Sequence, residues 1–522
     1  MTVFCAHNPQ RFLCEYLSLK SRALLVGVDM GTSSTRVVVL DEDGRSLAAA
    51  SRPTQLLNPS RQVFEQDPEQ MYTSVLLAIN DVLSAGDLHV ADIVGIAMCG
   101  QMAGISTIGR DWQAVTPYDS WLDMRCAGQV SRLKAYEQQI IESSGGPAGA
   151  NHAAKWLYWC EQQPAIYRKI SKIIMPAAYV AGRMAQLPSD DAFMDYTYLG
   201  FNSFADSRTM AWNTSLIDEF KLDVDRLPKL VKPWDQIGAV SANAAGVCGL
   251  LAGTPIFAGS GDIAASLLGA ATFKPGQLLD IAGTGSVLAT VLDHYAVDTQ
   301  HKTLTTFRHC LPELFYSVAY VGGAGISFNR FGLDDSECRR LEKQASAPLS
   351  ERNKLLFLPH LGGRHAPFDA TLAGAFVGLD WMHDRTDQYR AMMESIAYEY
   401  ARFLGCMRDM KVAVDDSGVF SLGGGSCSPL FSQIKADVLG VPYRKLPAAE
   451  YGVLGAAMLA GKGAGVFADL QQTAIDWQKP IEAVTLPDAS KHQFYAGMRK
   501  AYEQMLKSLK PVFDELQSVG LP

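Results

Sequence analysis

The chain carries no Gly-x4-Gly-Lys-Ser/Thr segment, which removes the commonest nucleoside triphosphate loop from consideration. Its ten cysteines stand singly, with no Cys-x-x-Cys pair and no histidine at finger spacing, so neither a zinc site nor a disulfide framework is indicated and a reducing cytoplasm fits best. His360 and His365 flank Leu-Gly-Gly-Arg with no third ligand nearby; they read as loop histidines, and no structural metal is expected. No apolar run reaches the ~18 residues that would span a bilayer, so no membrane partner is expected. No basic block occurs either, and a net charge of −8 with both signs interspersed argues against nucleic acid. The partner left by these absences is a small molecule.

What is present is a long chain with small-residue turns at chosen places. At 522 residues and 48% hydrophobic it can fill two cores, which sets the simplest domain count at two. Leu24 to Gly44 reads as two apolar strands joined by Gly31-Thr-Ser-Ser34, with Asp29 facing the turn and a second turn at Asp41-Glu-Asp-Gly44. The amides of Gly31 to Ser34, with the Thr32 and Ser33 hydroxyls, form a candidate phosphate cradle, and Asp29 a candidate holder of hydrated magnesium. Such turns also serve ordinary hairpins for backbone reasons. The pattern recurs, however, at Gln277 to Val291 around Gly283-Thr284-Gly285, as a clamp of two facing copies requires.

Two more glycine-centred segments follow the plan strand, turn, helix. Ile256 to Gly269 carries Asp262 at its junction, where a carboxylate serves either as a helix cap or as a reacting group. Val419 to Gly440 carries Gly423-Gly-Gly425, where bare backbone would admit a flat ligand such as adenosine or, alternatively, a close strand–helix crossing. Asp67 to Leu83 predicts an amphipathic helix, Val94 to Cys99 a buried strand, and Lys491 to Leu516 a terminal helix after a polar stretch beginning near Asp469. Alternation of this kind is α/β grammar.

From Leu24 to about Phe467 these segments, in this order, resemble the FGGY carbohydrate kinases of the actin, Hsp70 and sugar-kinase superfamily, the xylulokinase branch most of all. The landmarks are Asp29-Met-Gly-Thr-Ser-Ser-Thr-Arg36, Glu65-Gln-Asp-Pro68, Gly100-Gln-Met102, Trp121-Leu-Asp-Met-Arg125, Gly259-Ser-Gly-Asp262, Gly283-Thr-Gly285, Phe357-Leu-Pro359, Gly374-Ala-Phe-Val-Gly-Leu379 and Gly423-Gly-Gly425. The resemblance implies two ribonuclease H-like (actin-like ATPase) domains, each a mixed five-stranded sheet with helices on both faces, flanking a nucleotide and sugar cleft. The expected division is an extension over 1–22, an N-terminal domain over 23–272 and a C-terminal domain over 273–522, with the boundary at Phe273-Lys-Pro-Gly276.

It further implies an ATP-dependent kinase that phosphorylates a hydroxyl of a small ketose or polyol with Mg2+. In that scheme Asp262 is the catalytic base, and Asp29 with Asp262 faces the metal. Gly31, Thr32, Ser33, Arg36, Gly283, Thr284, Gly285, Gly323, Gly424, Gly425 and Ser428 would bind ATP. Gln101, Met102, Ala103, Trp121, Asp123, Arg125 and Ile263 would line the sugar site with Asp262. Xylulokinases carry His after Gln-Met and Asn after the catalytic Asp, where this chain has Ala103 and Ile263. That substitution of two hydroxyl partners makes D-xylulose a doubtful substrate. Trp121 serves either as an apolar wall for sugar carbons or as core packing. Lys155-Trp-Leu-Tyr-Trp159 and Arg364-His365 also depart from the branch. A nucleotide switch of the Hsp70 or actin kind and a sugar-responsive regulator are the competing classes; no peptide-binding β-domain pattern follows, and no basic helix-turn-helix pattern precedes Leu24. A homodimer is compatible with these expectations.

Overall fold

The computed structural model describes residues 22–283, 285–447 and 450–519. The predicted extension, apart from Arg22, and Thr284 lie outside them. Two large sheets dominate, and each grows from one of the repeated hairpins. In the first, Leu24–Met30 (β1), Ser34–Asp41 (β2) and Ser46–Pro53 (β3) form an antiparallel meander, continued on the other edge by Ile93–Gly100 (β4), Gln236–Ala239 (β5) and Pro255–Gly261 (β6). The order is β5-β6-β4-β1-β2-β3, with β4 and β6 parallel to β1 and β5 antiparallel at the edge.

The second sheet repeats this arrangement with Leu278–Ala282 (β7), Ser286–Leu292 (β8), Thr305–Arg308 (β9), Phe315–Val321 (β10), Val419–Leu422 (β11), Tyr443–Lys445 (β12) and Ala483–Thr485 (β13). Its order is β9-β10-β8-β7-β11-β12-β13, with β7, β11 and β12 parallel. Five strands in each sheet therefore share one topology, the ribonuclease H-like one. The sheets hold six and seven strands rather than five because antiparallel edge strands, β5 in the first and β9 and β13 in the second, extend the common five.

Period-two alternation fixes what each face of β1 does. Leu24, Val26, Val28 and Met30 bury one face beneath the helix Pro68–Ala85 (α1), which presents Met71, Val75, Ile79 and Val82 at helical spacing. Asp67 caps α1 through its carboxylate, which accepts from the Glu69 amide at 2.9 Å, and Pro68 occupies the first turn, where its missing N–H costs nothing. Leu25, Gly27 and Asp29 point the other way, to a face covered by the helix Tyr451–Gly463 (α5). Gly27 is obligatory there, since a Cβ would lie 2.4 Å from the Val453 carbonyl oxygen.

Helix α5 therefore belongs by packing to the first sheet although its sequence follows the second. It also crosses the helix Asp262–Gly269 (α2) closely enough that a Cβ on Gly455 would lie 2.0 Å from the Ala265 carbonyl oxygen. The second sheet packs against Arg385–Asp409 (α3), Pro429–Leu439 (α4) and Ala489–Ser518 (α6). Its centre holds a buried charge pair: Lys435 Nζ meets Asp280 Oδ2 at 2.5 Å, and the Tyr400 hydroxyl donates to Asp280 Oδ1 at 2.7 Å. The expected polar stretch after Asp469 is docked through apolar side chains. Leu470, Ala474 and Trp477 are buried, and β13 pairs with β12. Among the described residues no helix is long and apolar enough to cross a membrane.

Candidate active site

The two hairpin turns, the start of α2 and the start of α5 converge on a cavity of about 340 Å³. Three carboxylates line it: Asp29, Asp262 and Glu450, the last paired with Arg36. Asp29 pairs in register with Arg36 on β2 and Cys99 on β4; Asp262 follows β6, whose Gly261 pairs with Gly100. Both acids thus stand at carboxyl ends of parallel strands separated by one strand, about 10 Å apart in backbone terms. Asp262 opens α2, but Gly261 occupies the cap position, and the Asp262 carboxylate accepts from the amide of Ile263, at 2.8 Å, and from no side chain among the described residues. Most of its hydrogen-bonding capacity stays open to the cavity. Burial, and secondarily the charge of Asp29, pushes its pKa up to about 7; burial, eased by Arg36, raises Asp29 to about 6. Among the described residues no group of three or more histidine, cysteine or acidic side chains converges as a metal cage. Carboxylate oxygens are hard ligands, and once ionised Asp29 and Asp262 fit a cation that takes its remaining ligands from phosphate and water.

The first turn is tied down from behind. Thr32 Oγ1 donates to Gln101 Oε1 at 3.1 Å and accepts from Trp121 Nε1 at 2.9 Å, while the Thr32 carbonyl accepts from Gln66 Nε2 and Thr54 Oγ1. The Gly31 amide closes the turn onto the Ser34 carbonyl at 3.0 Å, and the Gly283 amide closes its counterpart onto Gly285. This corrects the expected cradle: Gly31 and Gly283 supply turn geometry and their amides are spent, whereas the amides of Thr32 and Ser33 have no protein partner among the described residues. Arg36 lines the cavity but is already paired with Glu450 just before α5, at 2.9 Å.

Asp29, Gly31, Thr32, Ser33, Arg36, Met102, Ala103, Trp121, Asp262, Ile263, Gly283, Gly285 and Gly424 all line this one cavity, although they are spread over 396 positions of sequence. Six further expected residues do not reach it. Gln101 is buried, with its amide nitrogen donating to the Gly31 carbonyl and to Gln66 Oε1. Asp123 and Arg125 neutralise each other behind the Trp121 wall, with Glu65 2.7 Å from Arg125. Gly323 is a packing position, where a Cβ would lie 1.8 Å from the Pro359 carbonyl oxygen. Gly425 packs on Ala282 in the same way, so in the Gly-Gly-Gly run only Gly424 has open space beside it. Ser428 caps α4 and bonds Glu342, at 3.0 and 2.7 Å.

Sequence reasoning missed Phe201, Ser266, Tyr320, Glu450 and Gly452, which also line the cavity. Phe201 and Tyr320 sit in no motif, and only the fold brings them to Trp121. Gly452 carried a signal, a glycine at a helix start; a Cβ there would come 3.5 Å from Asp29 Cγ. The two loop histidines prove buried. His365 lies with its ring centroid 4.9 Å from Tyr320 and 6.2 Å from Trp121, and burial pushes its pKa down to about 3, so it is a neutral aromatic prop. Trp121 packs against Tyr320 and His365 and also faces the cavity.

The sequence model for the N-terminal domain of the FGGY family of carbohydrate kinases matches residues 24–269, and that for the family's C-terminal domain matches residues 279–464. The chain belongs to the FGGY family of carbohydrate kinases. It is an ATP-dependent sugar kinase by that membership, and neither the nucleotide-switch nor the regulator reading has support beside it. The chain is 26% identical to the xylulose kinase of Bacillus subtilis (strain 168) over 501 residues, covering 95% of this chain and 99% of that one. It is likewise 26% identical over 504 residues to the autoinducer-2 kinase of Klebsiella pneumoniae, covering 92% and 93%. The solved structure of a ligand-bound xylulose kinase from Lactobacillus acidophilus superposes with a TM-score of 0.82 at 22% identity, covering 95% of this chain and all of that one, which establishes the FGGY fold.

Proposed function

We propose that this FGGY kinase transfers the γ-phosphoryl group of ATP to a hydroxyl of a small ketose or polyol, with Asp262 as the general base. The observation that carries the reading is Asp262 itself: a carboxylate with a pKa raised to about 7, at the mouth of α2, with its oxygens open to a cavity framed by both glycine turns. Phosphoryl transfer asks mainly for positioning and charge neutralisation, together with a group to accept the hydroxyl proton. In this scheme Asp262 takes that proton as the hydroxyl oxygen bonds to the γ-phosphorus; the bond to the β,γ-bridging oxygen breaks, and ADP leaves. The Thr32 and Ser33 amides bind phosphate oxygens, and Trp121 walls the sugar. Mg2+ supplies charge neutralisation at the phosphates when bound, and Asp29 and Asp262 are the residues to hold it.

The sugar end is apolar. Met102, Ala103, Phe201, Ile263 and Tyr320 surround it, with Ala103 in the left-handed region at φ 61°. Loss of a hydrogen-bond partner to a buried hydroxyl costs about 1–3 kcal/mol. We therefore read the preferred acceptor as one with fewer hydroxyls, or a different stereochemistry, than D-xylulose, within the range of the xylulose kinase and autoinducer-2 kinase relatives. A coupled ADP-release screen over pentuloses, tetruloses and polyols tests this. The expected result is a low kcat/KM for D-xylulose that rises in the double variant Ala103→His, Ile263→Asn; a preference for D-xylulose over every other acceptor refutes the reading of these two positions.

A further inference from the structure

A second cavity, of about 740 Å³, shares no lining residue with the first and lies between α3, α6 and the loop 360–372. Of the carboxylates that line it, Asp369 pairs with Lys510 at 3.3 Å and Asp409 meets the His301 imidazole at 2.8 Å; Arg402, also in the lining, is paired with Glu399 at 2.7 Å. Glu503 stands one helical turn before Lys507 on α6, placed to offset it. Arg364 is different. Half-buried, it makes a single hydrogen bond, from Nε to the Pro367 carbonyl at 3.0 Å, and forms no ion pair among the described residues. Burial, and secondarily the nearby Arg402 guanidinium, push its pKa down, although the Glu399 and Asp369 carboxylates pull it up without bonding to it. A guanidinium in that condition, with both terminal nitrogens available, fits an oxyanion bidentately.

The loop also backs the wall of the active cavity. Arg364 and Asp369 exchange backbone hydrogen bonds at 2.8 and 2.9 Å, an extended pairing in which successive side chains point to opposite sides. Arg364 accordingly faces the second cavity, while His365, its neighbour, packs on Tyr320 and Trp121 of the first.

We propose that the second cavity binds a phosphate monoester of a small polyol, anchored by Arg364 with Lys507 at the rim, and that occupancy shifts the loop and hence the Trp121 wall. The volume exceeds what inorganic phosphate fills, which favours an ester over the free anion. The phosphate group is common to both sources, and the experiment separates them. Glycerol 3-phosphate and inorganic phosphate are titrated calorimetrically, in separate runs, into the full chain held saturated with a non-hydrolysable ATP analogue. The ester should bind with a Kd below about 1 mM, weakened at least tenfold by Arg364→Gln and by the exposed Lys507→Glu, and unchanged in Thr32→Ala. It should also shift tryptophan emission in the wild type but not in Trp121→Phe. Absence of heat, or heat retained in both Arg364→Gln and Lys507→Glu, overturns the site; inorganic phosphate binding as tightly as the ester overturns the ligand assignment; an emission shift retained in Trp121→Phe overturns the coupling.

Discussion

Replacing Asp262 by Asn should stabilise the protein at alkaline pH, and by an amount that the site itself sets. In the folded chain, burial and the Asp29 carboxylate hold the Asp262 pKa at about 7, against 3.8 in an unfolded chain. Below pH 3.8 both states are protonated and the group contributes nothing to pH dependence. Between 3.8 and 7 the folded state keeps a proton that the unfolded state releases, so stability falls as pH rises; above 7 the full penalty is present, about 4 kcal/mol. Asn resembles the protonated form and escapes it. Urea unfolding of wild type and variant, measured at pH 5 and pH 8.5, should therefore show the variant's advantage growing by about 2.5 kcal/mol between the two. A difference independent of pH, or one that shrinks toward pH 8.5, refutes the claim that this carboxylate is held against its solvation preference.

Other outcomes follow from packing. Gly259 sits at φ +75°, and a Cβ there would lie 1.7 Å from the Met98 carbonyl oxygen, so Gly259→Ala should cost about 3 kcal/mol or more and lower soluble yield, read by urea midpoint and expression. Lys435→Met should cost about 3–5 kcal/mol, because it strands Asp280 without a cation, and Lys435→Met with Asp280→Asn should recover part of that loss in the same assay.

Local pattern made much of this architecture legible. Both hairpins, α1 and the strands carrying Asp29 and Asp262 follow from alternation, a capping Asp-Pro and small-residue turns, and all of these signals are local. What escaped depends on distant neighbours. Nothing in Tyr451–Gly463 marks it as a cover for β1, since small residues at a helix crossing look like any alanine-rich helix until Gly27 and Ala265 lie opposite. The glycines divide for a similar reason: Gly424 opens on empty space and Gly425 on Ala282, a difference of direction that composition cannot carry. Gln101, Asp123 and Arg125, which the family resemblance assigns to the sugar site, have side chains occupied elsewhere in this structure, Gln101 with Gln66 and the Thr32 turn and Asp123 with Arg125, and a motif does not carry such partners. The aromatic wall of Phe201 and Tyr320 arises only where the two halves meet.

The central claim is that Asp262 accepts the proton of the attacking hydroxyl. The most direct test is ADP release with saturating ATP and the best acceptor from the screen, for wild type and Asp262→Asn, from pH 5 to 9. Wild-type kcat/KM should rise with pH and level off above about 7, where the base is free of its proton. Asp262→Asn should turn over about 10²–10⁴ times more slowly at every pH, with ATP affinity nearly unchanged. A variant that phosphorylates the acceptor near the wild-type rate would contradict the account.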